Sequence, residues 1–326
     1  LTDRGTAAIL DAVCGTSARR GGEAMTTQVA TKRLVSLDLS MNVLDTDAVI
    51  SIANFLRRPD CQLESLSLDS ADIDDNEISL LVLALVENKS LKELSIPHNF
   101  LGGFAEKMPI HEKERGSSTI ERVLKANYTL RKLDLSWNQL GSISGQAIAR
   151  ALGENRALTW LSIAYNCIGD DGSMAFGYAL NWNNSLTFLD MSHNGIRNRG
   201  GQVIAEGLRE NLRLTHLDVS GNPVGKLGGR ALIKSLNLSL RQRKIVMRAC
   251  DFGEDDRELG RFNPASPAGT YRLDLSRPHD WMIAQSLLTL TVLRPGCKFV
   301  QLVETLKNGE TRQVNLVDPS PYTESS

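Results

Sequence analysis

The sequence predicts an α/β fold of the solenoid kind: a right-handed horseshoe with a parallel concave sheet, convex helices, and a C-terminal helix plus β-hairpin as its cap. Three observations predict it. A block with apolar residues at offsets 0, 3, 5 and 10 and asparagine at offset 8 recurs along the chain. Its copies start at Leu34, Leu63, Leu91, Leu130, Leu158, Leu186 and Leu214, and five of the six spacings are 28 or 29 residues. The stretch after each block carries apolar residues at helical spacing. One strand and one helix per period cannot bury their apolar faces alone, so copies must stack.

The strand blocks come first. Residues 130–140 read LRKLDLSWNQL, and 34–44, 91–101, 158–168, 186–196 and 214–224 follow the same pattern. Residues 63–73 fit except for Ala71 in the asparagine slot. A weaker copy runs through Gln242, Ile245, Met247, Cys250 and Phe252, and a further one through Thr270, Leu273 and Leu275. Leu1 fits offset 10 of a repeat whose beginning is missing, and the first residue is not Met; both lead us to expect a piece of a longer chain. The asparagine answers to geometry. A chain turning out of a strand inside a dry stack leaves backbone donors and acceptors unpaired, and an amide can bond both kinds. Stacked copies should form a ladder, with Cys250 as a weak-donor variant that tolerates burial.

The helices follow. Residues 142–155 carry Ile148 and Leu152 at helical spacing, and Leu85, Leu124, Leu152, Leu180, Leu208 and Leu236 stand six residues before the next block or its continuation. That face should pack on the strands. Asn88, Asn127, Asn155, Asn183 and Asn211 recur three residues before a strand block, where a left-handed residue is expected to end the helix. The sequons at Asn88, Asn127, Asn183 and Asn237 are therefore expected to be by-products of the repeat rather than glycan acceptors.

The LxxLxLxxNxL block, the 28-residue period and the long helix per repeat resemble the ribonuclease-inhibitor class of leucine-rich-repeat proteins. The resemblance covers residues 1–250 clearly and 270–290 weakly. Its relatives include the ribonuclease inhibitor, sensor regions of nucleotide-binding immune receptors, the Ran GTPase-activating protein and axonemal repeat proteins. The resemblance implies a protein-binding fold. Unlike the inhibitor, this chain has only five cysteines and no alternating period.

Composition narrows the function. Net charge is −1, which gives no electrostatic case for nucleic acid or an anionic membrane. Cys14, Cys61, Cys167, Cys250 and Cys297 show no metal-ligand spacing, and an odd count speaks against a disulfide framework, so a reducing, cytoplasmic compartment is expected. No signal peptide is visible. The most apolar run, residues 78–86, is too short for a membrane span and suits a buried helix.

The period breaks in three places, and these set the expected domain map. Residues 1–252 form the repeats, with insertions at 15–33 and 102–118; residues 253–269 form a Pro/Gly-rich loop. Residues 270–318 are read as a degenerate repeat and a capping hairpin, because two alternating segments flank Lys307-Asn308-Gly309, and residues 319–326 as a tail. Insertions of this kind read as solvated surface, or as partner-contacting loops.

Function should lie on the concave face. Offset 2 reads Ser36, Ser65, Glu93, Lys132, Trp160, Phe188, His216, Lys244 and Arg272 down the stack; offset 7 reads Met41, Ser70, His98, Trp137, Tyr165, His193, Gly221, Ala249 and Arg277. Strands about 4.8 Å apart would bring Trp137, Trp160, Tyr165, Phe188, His193 and His216 into one patch, bordered by Asp190 and Asp218 at offset 4. With 5% aromatic residues in the chain, this concentration on an exposed face points to a protein-binding hot spot; stacking that merely stabilises the sheet is the plainer reading. Lys132 and Arg131 on one side, and Arg243, Lys244, Arg248, Arg272 and Arg277 toward the C-terminus on the other, read as solvated charge. Catalytic, metal and cofactor sites are not expected. His193 and His216 near Asp190 and Asp218 would sit on an open face that does not exclude water, and no Gly-rich phosphate loop is present. The expected role is a non-enzymatic, cytoplasmic protein–protein scaffold, with a cytoskeletal or ciliary setting as one possibility. The alternatives are the ligand-sensing segment of an immune-receptor-like regulator and a GTPase activator of the Ran type.

Overall fold

The computed structural model describes Gly5 and residues 34–102, 114–237, 243–252, 301–305 and 311–315. Within them strands and helices alternate: β1 (Ser36–Asp38), α1 (Thr46–Leu56), β2 (Ser65–Ser67), α2 (Asp75–Glu87), β3 (Glu93–Ser95), α3 (Glu114–Ala126), β4 (Lys132–Asp134), α4 (Gly141–Glu154), β5 (Trp160–Ser162), α5 (Gly169–Trp182), β6 (Phe188–Asp190), α6 (Asn198–Glu210), β7 (His216–Asp218), α7 (Gly225–Asn237) and β8 (Lys244–Val246). Strands β9 (Gln301–Thr305) and β10 (Thr311–Asn315) complete the sheet. Strand order equals chain order, and β1 to β8 are parallel. β9 joins β8 in parallel through Lys244 and Gln301, and β10 returns antiparallel, with Thr305 opposite Thr311. The hairpin strands therefore flank Asn308-Gly309 as the alternation predicts.

The period becomes a core through register. Leu37, Leu66, Leu94, Leu133, Leu161, Leu189, Leu217 and Ile245 stand opposite one another across eight strands. Two residues on, Leu39, Leu68, Ile96, Leu135, Ile163, Met191, Val219 and Met247 form a second buried column. The helices close over them with Ile52, Leu56, Leu81, Leu85, Leu124, Ile148, Leu152, Phe176, Leu180, Ile204, Leu208 and Leu232, all buried. Each such side chain contributes roughly 1.5–3 kcal/mol by leaving water. Three-residue strands suffice because each of β2 to β7 is locked to two neighbours and roofed by a helix.

Asn99, Asn138, Asn166, Asn194 and Asn222 are buried and bonded as the turn geometry requires. Asn166 Nδ2 donates to Leu135 O, in the preceding repeat, at 2.8 Å, and its Oδ1 accepts from Leu140 N. Asn194 and Asn222 repeat the pattern onto Ile163 O and Met191 O. Cys250 keeps one bond of the set, Sγ to Val219 O at 3.3 Å, and burial pushes its thiol pKa up to about 12.

The helix-ending asparagines correct the sequence reading. Asn88, Asn155, Asn183 and Asn211 are extended, with φ between −66° and −75°, not left-handed. Their side chains do the work: Asn183 Nδ2 donates to Leu152 O and to Asn155 O, while its Oδ1 accepts from Ser185 N and Leu186 N. Asn88, Asn127, Asn155 and Asn211 bond alike, so a second buried amide ladder ties each helix end to the one before. This also accounts for the sequons. The hydroxyl two residues on bonds the same amide, as in Ser90 with Asn88 and Thr129 with Asn127. Asn88, Asn127 and Asn183 are at most 4% exposed, so a glycan there would dismantle the ladder; the side chain of Asn237 lies outside the described residues.

Arg243 is the second correction. Expected as solvated charge, it is buried at the end of this ladder. Nη1 donates to Leu208 O and Nη2 to Asn211 O, the two acceptors that the next asparagine would have taken, and Nε donates to Leu214 O. Burial lowers its pKa to about 10, which leaves it cationic at neutral pH.

Helix α3 begins at Glu114, so residues 114–118, expected as insertion, are helical. The insertion at 15–33, the loop at 253–269, the strand and helix expected between 270 and 293, and the tail lie outside the described residues. The register across β3 and β4 is unbroken despite the extra residues between them.

Candidate protein-binding face

The open face of the sheet is built from the offsets that alternate with the leucines. Residue pairing across β4 to β8 places Lys132, Trp160, Phe188, His216 and Lys244 in one row. The rings stack along it: Trp160 and Phe188 centroids are 4.9 Å apart, Phe188 and His216 4.6 Å, each nearly coplanar in tilt. Lys132 Nζ lies over the Trp160 ring at 5.1 Å and so caps the row with a cation–π contact.

A second row stands where the strands exit. Met41, Ser70, His98, Trp137, Tyr165, His193 and Ala249 all have φ between 49° and 59°, and Gly221 has φ 66°. This left-handed turn belongs to the repeat and sets these side chains in a row. Trp137 stacks on Tyr165 at 3.7 Å, Tyr165 on His193 at 4.1 Å, and His98 on Trp137 at 5.3 Å. Gly221 lets the row end. A Cβ there would sit 2.2 Å from His193 Cε1, so the ring lies on backbone where any side chain would displace it.

The six aromatic and histidine residues read from the sequence stand in two stacks, one per offset column, rather than in one patch. Every ring pair recorded among the described residues lies within a row. His98 joins as a seventh member. It was present in the offset-7 column, and the insertion after it concealed that β3 and β4 stay in register.

Between the rows lies a low floor of Asp134, Ser162, Asp190 and Asp218 at offset 4 and Ser136, Ala164, Ser192 and Ser220 at offset 6. The aspartates have a local task. Asp134, Asp190 and Asp218 each accept on Oδ1 from the backbone N–H of the serine two residues on, at 2.8–2.9 Å. Asp190 and Asp218 stand opposite each other on neighbouring strands. Burial raises the Asp190 pKa, the Ser192 hydrogen bonds oppose that rise, and the charges of Asp218 and Asp134 add to it. Burial lowers the His216 pKa, with Lys244 adding and Asp218 opposing. The only histidine–carboxylate bond recorded among the described residues is His98 Nδ1 to Asp69 Oδ1, at 3.0 Å. No group of three His, Cys, Asp or Glu among the described residues could hold a metal ion.

Stacked strands, roofing helices and two amide ladders define a repeat scaffold. Four of its units, residues 126–149, 154–177, 183–205 and 210–232, match the Leucine Rich repeat family. The chain is similar to human NACHT, LRR and PYD domains-containing protein 14, 32% identical over 29% of this chain and 9% of that protein. It is also similar to mouse ribonuclease inhibitor, 28% identical over 28% of this chain and 20% of the inhibitor. Among solved structures, leiomodin-1 actin-binding site 2 superposes with 21% identity over 48% of this chain and 86% of that one, at a TM-score of 0.37. The chain carries leucine-rich repeats similar to those of the ribonuclease inhibitor, and such repeats are scaffolds for binding other proteins. It spans a fifth or less of the two curated relatives named here. No helix among the described residues is long and apolar enough to cross a membrane.

Proposed function

We propose that the chain is a non-catalytic scaffold that docks a protein partner on the open sheet face over β4 to β7. The observation that carries this reading is the pair of ring rows, Trp160–Phe188–His216 and His98–Trp137–Tyr165–His193. Trp137 is 48% exposed although stacked, and aromatic side chains offer large contact area at low entropic cost. Folding alone does not require them, since β1 and β2 pair in the same register with Ser36 and Ser65 in the row. Cys61, Cys167 and Cys250 are free thiols, which suits a reducing cytoplasmic compartment.

The test is capture of partners from lysate by wild type, by Trp160→Ala plus Phe188→Ala, and by Trp182→Ala. Trp182 lies in α5 and is 75% exposed. The double variant should weaken capture by about 2 kcal/mol or more, the scale of a hot-spot aromatic, with little change in melting, and Trp182→Ala should bind as wild type. Equal recovery by the double variant and wild type would move the site off this face. A second reading, the sensing segment of a larger receptor, is favoured by the similarity to NACHT, LRR and PYD domains-containing proteins. It requires a nucleotide-binding module on the same native polypeptide, which mass spectrometry of the full-length protein from its source cells would find or exclude.

A further inference from the structure

From the trough between the two ring rows we infer the chemistry of the partner: a segment that presents lysine or arginine side chains beside apolar ones. The inference rests on the sheet-face reading above and adds to it the sign of the charge that the face receives.

The trough has a defined size. It spans five residues between rows, about 16 Å along the strands, and four strands, about 14 Å between the outermost. Its floor is low, because Ser136, Ala164, Ser192 and Ser220 are small, and its walls are ring edges. The floor is also negative. Asp134, Asp190 and Asp218 occupy three of the four strands, and no ion pair among the described residues reaches any of them. Like charges facing each other across neighbouring strands destabilise a sheet.

The repeat does not demand these carboxylates. Ser67, Ser95 and Ser162 hold the same slot with the strand pairing unchanged. The hydrogen bonds recorded for the three aspartates all fall on Oδ1. Of the cations on the face, Lys132 is engaged over Trp160, Lys244 lies at the other end beyond His216, and Arg248 follows Ser220 in the floor row of the next repeat without an ion pair recorded to Asp218. A row of half-buried carboxylates without a counter-ion, between aromatic walls, complements a guanidinium or ammonium with an apolar stem. Arginine suits it best, because its planar, weakly hydrated head pairs with carboxylates through parallel hydrogen bonds while its apolar stem lies along the walls.

The probe is a fluorescein-labelled peptide of alternating arginine and leucine, with a glutamate–leucine peptide of equal length as its opposite, read by fluorescence anisotropy. The arginine peptide should bind wild type. Asp190→Asn plus Asp218→Asn, which keeps an acceptor for Ser192 and Ser220, should weaken it about ten-fold or more, the scale of a lost charge-assisted contact. Asp38→Asn, outside the trough, should leave it unchanged. Equal binding of the glutamate peptide, or unchanged binding by the paired asparagine variant, would overturn the inference. The two readings separate in lysate capture: if the Trp160/Phe188 variant loses partners and the Asp190/Asp218 variant retains them, the face stands and the cationic partner falls.

Discussion

In β1 to β3 the strand-entry row of the open face reads Ser36, Ser65 and Glu93; in β5 to β7 it reads Trp160, Phe188 and His216. Behind these rows the two regions are alike. Leu66 and Leu189 occupy the same buried column, and Asn99 and Asn194 bond the preceding repeat in the same way. The first region even tolerates Ala71 in the amide slot, where Asn99 Oδ1 accepts from Ala71 N. The difference teaches that inward offsets answer to burial and hydrogen bonding, whereas outward offsets are set by something outside the fold.

The largest expected effect strikes what the two regions share, the helix-end ladder. Arg243→Met should leave the carbonyls of Leu208, Asn211 and Leu214 without their donor and cost about 3 kcal/mol or more. Urea melts would measure it, and a loss below about 1 kcal/mol would mean that water replaces the guanidinium. Next comes Asn166→Ala, at about 1–3 kcal/mol for buried groups left unpaired. Ser136→Ala on the face should do little. If Asn166→Ala melts as wild type, the ladder is ornamental and Ala71 is the rule rather than the gap.

The smallest effect sharpens the contrast between regions by pH. Asp190 has a raised folded pKa, because burial and neighbouring carboxylates disfavour its charge. A group raised in this way favours the fold while protonated and loses that contribution as pH rises from the ordinary carboxylate range through its folded pKa. Asp190→Asn should therefore melt slightly above wild type at pH 7, and the gap should close as pH falls through that window. Asp38, the β1 counterpart, has its pKa lowered by the Ser40 hydroxyl and lies exposed. Asp38→Asn should give no such gain in differential scanning calorimetry.

Much of this was legible in the sequence, and the exceptions have physical causes. The leucine columns and the asparagine ladder follow from period alone, since a residue repeated every 28 positions must stack on itself. The second ladder was misread because asparagine is known both for left-handed backbone and for amide bonding, and only the dihedrals of Asn155 and Asn183 decide between them. Arg243 was hidden because it stands off the period: the ladder's next position is Ser239, and the guanidinium reaches back from the following strand. The ring rows were visible as columns. Their separation was not, because the left-handed turn at Trp137 and Tyr165 is made by residues other than glycine.

The helix-end amides have a mechanical consequence. Asn155, Asn183 and Asn211 each grip carbonyls 28 and 31 residues back, so these repeats are joined as hooks on a chain, each to the one before. Pulled from its C-terminal side, such an array has no shared lock that fails at once. Arg243 is the latch, and behind it the repeats should pay out singly, each releasing about 95 Å of extended chain. The described repeats are thus expected to yield under load in steps of one repeat, which a force–extension measurement would read.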